Sequence, residues 1–166
     1  MKKAAIVLLS LLCVAGLGFA ADFSKNGMLL NPGSVDVNVG IGNSWGWGFD
    51  VGGGAEYVIG KFDVAKNVPL SYGVAARAAL YFGYFDANPL GLGAFGTLHF
   101  NWGALDLPEG LKWLRNLDSY IGLGVDVSPG IWIDSIGGCS YFLSKNLAVN
   151  LEAGIRDSRI GVLYKF

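Results

Sequence analysis

The feature that most constrains this sequence is a two-residue alternation of apolar side chains with small or polar ones. Along residues 34–41, valines and an isoleucine occupy one set of positions, and serine, aspartate, asparagine and glycine occupy the other. Side chains of a β-strand alternate between two faces with this period. Eight such segments follow one another to the end of the chain, each close to the length with which a tilted strand crosses a bilayer.

The charged residues of these segments fall on the face opposite the apolar one: Asp36, Asp50, Glu56, Arg77, Asp126, Asp134, Glu152, Arg156, Arg159 and Lys165. A charge facing lipid at mid-membrane costs about 2–4 kcal/mol. A soluble barrel would instead turn its apolar face inward. The pattern therefore predicts an all-β fold, an eight-stranded antiparallel up-and-down transmembrane β-barrel with an apolar outside.

Hydropathy supports strands rather than membrane helices. The chain is 52% hydrophobic with a mean hydropathy of +0.45, yet no run of about 18 apolar residues, as a membrane helix would show, follows Ala20. Lys2 and Lys3, the apolar stretch 4–12 and the small residues before position 21 predict a signal peptide over residues 1–20. The barrel domain is then 21–166. With a net charge of −1 and no basic cluster, nucleic acid is not an expected partner.

The inward charges predict how the interior is filled. An eight-stranded barrel is just wide enough for side chains to fill it, and buried opposite charges pair because an unpaired one is costly. We expect a closed, salt-bridged lumen rather than an open pore. Its predicted charge network consists of Asp36, Asp50, Glu56, Arg77, Asp126, Glu152, Arg156 and Arg159.

The sequence contains few motifs that indicate a catalytic, cofactor or metal site. His99, the one histidine, falls on the inward face near Thr97, and no serine or acid can be placed beside it from the sequence. The glycine pattern of residues 91–96 lacks the strand before and helix after it that a dinucleotide site needs. Cys139 has no second cysteine in the barrel domain to pair with. We therefore expect no catalytic residue, cofactor or metal, and keep a lipid-modifying or lipid-binding enzyme that uses His99 as an alternative.

The end of the chain resembles a known family. The last strand alternates apolar residues up to a terminal phenylalanine, in Ile160-Gly161-Val162-Leu163-Tyr164-Lys165-Phe166. This strand, the hairpin of residues 138–149 and the strand start at 118–124 resemble small bacterial outer-membrane barrels of the OmpA/OmpX type. The resemblance implies an outer-membrane location, contact with outer-membrane lipid and both termini in the periplasm. It also implies that the barrel-assembly machinery reads Val162, Tyr164 and Phe166.

The same resemblance implies short outer loops near residues 42–44, 83–89, 128–130 and 157–158. The longest connection, 103–118, would be periplasmic. Its leucines recur every three residues, at Leu111, Leu114 and Leu117, and Asp106, Pro108 and Glu109 are spaced as a helix start. We expect a short amphipathic helix near the inner rim that plugs the barrel or orders the turn, with binding of a periplasmic partner as the other reading.

Together these observations favour a non-enzymatic integral outer-membrane protein with a structural, envelope-maintaining or interaction role. A second alternative to it is a soluble periplasmic β-barrel that binds an apolar ligand.

Overall fold

The computed structural model describes residues 23, 28–44, 48–66, 68–83, 90–127, 130–155 and 157–166. The signal peptide and Arg156 lie outside the described residues, so the expectations for them stay predictions. Eight strands form one closed barrel in which every strand pairs with its sequence neighbours and the first pairs with the last. They are β1 (Val35–Ser44), β2 (Gly48–Ala65), β3 (Val68–Phe82), β4 (Leu90–Asn101), β5 (Leu117–Val127), β6 (Ile131–Phe142), β7 (Leu147–Gly154) and β8 (Asp157–Lys165).

All eight pairings are antiparallel, and the ring closes between β1 and β8 from Asp36 opposite Lys165 to Ser44 opposite Asp157. The predicted eight-stranded up-and-down barrel is therefore confirmed. The terminal end is defined here as the end of the barrel where β1 begins and β8 finishes, and the loop end is the opposite one. In the described ranges, none of the helices has the length and apolarity needed to cross a membrane.

The outer surface is apolar, as the alternation predicts. Ile133 is 80% exposed and Leu123 is 66% exposed, both on the outward face. Large outward side chains surround the barrel, including Val37, Val39, Ile41, Val51, Val74, Leu80, Leu92, Ile121, Val125 and Val162. Soluble proteins rarely expose one continuous apolar patch this large. An apolar band of this kind is what a barrel presents to lipid.

The charged face points into the lumen. Asp36, Asp50, Glu56, Arg77, Asp134 and Glu152 are buried, and Asp126, Arg159 and Lys165 are half-buried. The interior also holds large apolar and aromatic side chains, of which the alternation places Tyr120 inside and leaves Phe95 and Ile136 unassigned. Phe95, Tyr120 and Ile136 pack together as one inner cluster with Ala75. Each of the three large side chains has a glycine or alanine opposite it on at least one neighbouring strand: Ala75 and Gly124 beside Phe95, Gly138 beside Tyr120, and Gly122 and Gly154 beside Ile136.

The terminal end is filled by the chain before β1. Leu29 and Leu30 are buried and pack against inward side chains of four strands, namely Val58, Phe142, Ala148 and Leu163. The Lys165 ammonium donates to the Leu29 carbonyl at 2.8 Å. This N-terminal plug (Met28–Leu30) was not predicted, because three consecutive apolar residues show no alternation. Among the described residues, the connection 103–118 contributes no side chain to this buried cluster.

The connection 103–118 differs in detail from the prediction. It contains two 3₁₀ helices, Trp102–Ala104 and Glu109–Asn116, and β5 already begins at Leu117. A 3₁₀ helix has three residues per turn, which matches the three-residue leucine spacing better than an α-helix. Asp106 does not cap the second helix, whose N-cap is Pro108 with no side-chain hydrogen bond.

Two predicted outer loops are also misplaced. Residues 42–44 belong to β1 and 157–158 begin β8, so neither range is a loop. Residues 84–89 and 128–129 of the other two lie outside the described residues. Strand pairing continues through 42–44 and 157–158, with Gly42 opposite Asp50 and Asn43 opposite Ser158.

Candidate functional site

A buried histidine held between two carboxylates lies in the terminal half of the lumen. Strand alternation turns His99 of β4, Glu56 of β2 and Asp118 of β5 inward. His99 Nδ1 lies 2.8 Å from Asp118 Oδ2, and Nε2 lies 2.6 Å from Glu56 Oε1. The Tyr120 ring stacks on the imidazole with centroids 5.3 Å apart. All four side chains are buried.

This geometry determines what the histidine can do. A neutral imidazole has one N–H donor and one acceptor, whereas a protonated ring donates from both nitrogens. Because each ring nitrogen faces a carboxylate oxygen, the arrangement fits a protonated, positively charged ring. The Thr97 hydroxyl donates to Glu56 instead of His99. A general base needs a free nitrogen within reach of the proton that it removes, and here both nitrogens are already engaged.

Arg77 connects the histidine cluster to the next carboxylate. Its Nη2 lies 3.8 Å from Glu56 Oε2 and 3.0 Å from Glu152 Oε2. Its Nε also donates to Glu152, at 3.1 Å to Oε2. The Tyr120 hydroxyl donates to the same Glu152 oxygen at 2.8 Å. Glu152 thereby receives charge-assisted hydrogen bonds from two directions, which are the stronger kind.

Arg159 continues the network toward the loop end. Its Nε donates to Asp50 Oδ1 at 2.6 Å, its Nη2 donates to Asp157, and its Nη1 lies 3.7 Å from Glu152 Oε1. Since Glu152 faces both arginines, the ion pairs form one continuous chain through the lumen. In order, its members are Asp118, His99, Glu56, Arg77, Glu152, Arg159 and Asp50.

The predicted network is thus partly assembled. Five of its members bond to one another: Asp50, Glu56, Arg77, Glu152 and Arg159. Asp36 is inward and 1% exposed, but neither of its carboxylate oxygens has a hydrogen-bond partner among the described residues. Asp126 lies beside a small cavity near the loop end. Arg156 is outside the described residues.

Several members of the network were missed. Asp118 was assigned to the periplasmic connection, although it shares the parity of Tyr120 and Gly122 and could have been placed inward on that basis. The pairing of His99 with Glu56 joins β2 to β4, which are not neighbours in the barrel. Such a contact depends on how the strands are staggered around the axis, and sequence alternation carries no information on this.

Two inward glycines leave space for the large members of the network. A Cβ at Gly54 would lie 2.5 Å from Arg77 Cδ, and one at Gly138 would lie 2.6 Å from the Tyr120 hydroxyl oxygen. Both distances are shorter than real Cβ contacts. The small residues of the alternation are therefore needed opposite the long side chains.

Little free space remains around the arginines. An interior cavity of about 30 Å³ lies between the Arg77–Glu152 pair and the loop end, with Tyr81, Phe95 and Arg159 in its wall. A cavity of that size holds one or two water molecules. Within the described part of the chain, no group of three or more histidine, cysteine, aspartate or glutamate residues is arranged to hold a metal ion.

The predicted assembly signal faces outward. Val162, Tyr164 and Phe166 are all exposed on the outer face of the last strand and its end. The rings of Tyr164 and Phe166 meet edge to face, with centroids 5.0 Å apart. This position makes the three side chains available from outside the barrel, and their recognition during assembly stays a prediction.

Comparison with known proteins identifies the fold. No protein-family model matches the chain, and no curated protein matches it by sequence. A de novo designed transmembrane β-barrel is 22% identical with a TM-score of 0.53, covering 84% of this chain and all of the design. The outer membrane enzyme PagL is 12% identical with a TM-score of 0.57, covering 79% of this chain and 98% of PagL. The fold is thus similar to that of small transmembrane and outer-membrane barrels, as the sequence resemblance implied.

Proposed function

We propose that this chain is an integral outer-membrane barrel with a closed lumen, whose role is structural or envelope-maintaining and not enzymatic. The observation that carries the proposal is the continuous chain of ion pairs from Asp118 to Asp50 through the lumen. A path for ions or solutes along the axis would have to separate these pairs. Breaking a buried pair costs about 3–5 kcal/mol.

Closure at the terminal end supports the same proposal. Leu29 and Leu30 pack across four strands beneath the charged network. The lumen is therefore occupied by an apolar layer at one end and a charged layer above it. The ion-paired side chains and the plug leucines bond to or pack against other residues inside the barrel, which supports a stabilising role for the interior.

Membrane location is supported by the outer surface. The outward face is an apolar belt, and aromatic side chains are exposed toward both ends: Phe49 and Phe82 toward the loop end, and Tyr57, Phe62, Tyr72 and Tyr164 toward the terminal end. Aromatic rings at both membrane interfaces are typical of transmembrane barrels. The outer membrane is the bilayer in which natural barrels of this size reside.

The test combines a gel assay with a conductance recording. The protein is expressed with its leader, recovered from outer membranes and run with and without boiling; we expect a heat-dependent shift. The purified barrel is then inserted into a planar lipid bilayer. We expect no steady conductance, and we expect the same for Glu109→Gln, a control that removes an exposed carboxylate outside the lumen. A steady, large conductance from the wild-type barrel would contradict the closed lumen.

An enzyme acting on lipid through His99 is the second candidate, and the Asp118 carboxylate on Nδ1 is the feature that favours it, because a carboxylate orients a catalytic histidine in the same way. Against it, the ring is buried in the lumen and away from the outer surface that meets lipid. The discriminating assay incubates the barrel with phospholipid or lipopolysaccharide and compares wild type with His99→Ala. Turnover that the substitution abolishes, in a variant that still shows the heat-dependent shift, would favour the enzyme.

The third candidate, a soluble barrel carrying an apolar ligand, requires an apolar interior. The charges of the lumen offer such a ligand no matching surface. Extraction of the native protein without detergent would favour this candidate over a membrane location.

A further inference from the structure

The connection before β5 carries an amphipathic 3₁₀ helix, the rim segment (Glu109–Asn116). With three residues per turn, its side chains form three straight ridges. One ridge is charged, with Glu109, Lys112 and Arg115. The second ridge carries Trp113. The third ridge carries Leu111 and Leu114, and Leu117 at the start of β5 continues its line. Two of the three ridges therefore have apolar side chains.

The rim segment lies against the outside of the barrel. Tyr141 has the outward parity of Ile133 and Cys139, yet it is only 7% exposed, whereas Ile133 is 80% exposed. The Trp113 ring lies 6.4 Å from the Tyr141 ring, centroid to centroid. Leu117, directly after the segment, pairs with Tyr141 across β5 and β6. The segment thus covers the outer wall at the terminal end, while the N-terminal plug occupies the lumen there.

Part of the apolar surface of the rim segment is exposed. Leu111 is 44% exposed and Trp113 is 45% exposed. Both lie at the end of the barrel where outward aromatic side chains already form a ring, with Tyr57, Phe62, Tyr72, Tyr164 and Phe166. This surface is continuous with the apolar belt of the strands. A phospholipid leaflet that covers the belt would extend over it.

We propose that the rim segment is a membrane-interface anchor, with Leu111 and Trp113 inserted at the headgroup–acyl boundary of the phospholipid leaflet at the terminal end. This inference rests on the proposed membrane location. Tryptophan prefers that depth because its ring is apolar and its N–H is polar. Lys112 lies on the charged ridge, where its ammonium pairs with Glu109, and at the proposed depth a cation on that ridge would lie near the lipid phosphates. The segment would fix how deep the barrel sits and hold the long connection in place.

The test measures depth with nitroxide labels in phosphatidylcholine vesicles. Cys13 and Cys139 are replaced by serine, and single cysteines are introduced as Leu111→Cys, Glu109→Cys and Leu123→Cys. Glu109 is the matched control, since it is on the charged ridge and its side chain is 86% exposed. Leu123 reports whether the barrel wall is in lipid. Accessibility to oxygen, which partitions into lipid, and to a water-soluble nickel chelate is read by electron paramagnetic resonance.

We expect the label at 123 to be reached by oxygen and shielded from nickel. The label at 111 should be several-fold less accessible to nickel than the label at 109. Equal nickel accessibility at 111 and 109, with 123 in lipid, would overturn the anchor and leave the proposed function intact. Nickel access at 123 would instead overturn the membrane location.

A measurement without labels tests the same proposal if a cysteine variant does not fold. Lipids brominated near the headgroup end of the acyl chain quench tryptophan at shallow depth. Subtracting the emission of Trp113→Phe from that of the wild type gives the emission of Trp113 alone. We expect these lipids to quench that emission strongly. Emission at 113 that the brominated lipids leave unchanged would refute the anchor.

Discussion

Glu152→Gln removes the carboxylate that joins the two arginines of the lumen. Glu152 Oε2 lies 3.0 Å from Arg77 Nη2, and Oε1 lies 3.7 Å from Arg159 Nη1. With an effective dielectric constant near 20, each contact represents about 5 kcal/mol of Coulomb attraction. Part of this is offset, because the neutral amide avoids the desolvation penalty of the charge. We expect a net loss of about 3–5 kcal/mol in the free energy of unfolding, as when one partner of a buried pair is removed.

Hydrogen bonding adds to this loss. The amide oxygen of the glutamine can still accept a hydrogen bond from Arg77 or from the Tyr120 hydroxyl. The amide N–H₂ group then faces another donor, and two donors cannot form a hydrogen bond with each other. Arg159 retains Asp50 and Asp157, whereas the carboxylate that Arg77 retains among the described residues is that of Glu56, at the longer distance of 3.8 Å. The effect should therefore be transmitted mainly through Arg77.

Urea unfolding in lipid vesicles, followed by tryptophan fluorescence, measures the change. Glu109→Gln is the control, since an exposed pair is worth about 0–1 kcal/mol. In a double-mutant cycle, Arg77→Met combined with Glu152→Gln should cost less than the two single changes added together. A loss below about 1 kcal/mol for Glu152→Gln, or strict additivity in the cycle, would refute the view that these charges are coupled in the lumen.

Three further substitutions test other parts of the molecule by the same unfolding assay. His99→Ala leaves Glu56 and Asp118 facing each other without their shared cation, and we expect it to lose about 3–5 kcal/mol; a loss no larger than that of Lys112→Ala would contradict the ion pairs. Leu123→Arg places a charge on the outward face and should cost about 2–4 kcal/mol in vesicles, and a cost near zero would argue that this face meets water. Leu29→Ala empties part of the N-terminal plug and should cost about 2–5 kcal/mol, whereas a neutral result would mean that the plug is not packed in solution.

The alternation predicted the fold and the contents of the two faces because one residue of register moves every side chain to the other face. Asp36, Glu56 and Glu152 could be placed inside on parity alone, and Leu123 outside. Residues that face lipid must be apolar, whereas their neighbours that face the lumen are small or polar. The alternation is therefore visible in the sequence.

Partner identities could not be obtained in the same way. Whether Glu56 meets His99 or Arg77 depends on the stagger between strands, and the structure shows that it meets both. Asp118 was missed because the start of β5 was placed too late in the chain. The N-terminal plug was missed because a short apolar run outside any periodic segment has no local signal of what it packs against.

The N-terminal plug also has a consequence for folding kinetics. The plug shares one buried cluster with side chains of β2, β6, β7 and β8, and the Lys165–Leu29 hydrogen bond spans 136 residues of sequence. The contacts with β6, β7 and β8 need most of the barrel to be assembled, so we expect them to form late, on the native side of the rate-limiting barrier. Leu29→Ala should accordingly leave the folding rate nearly unchanged and accelerate unfolding, with a φ-value near zero. The N-terminal plug would then be among the last parts of the barrel to pack, and its contacts would slow unfolding of the finished barrel.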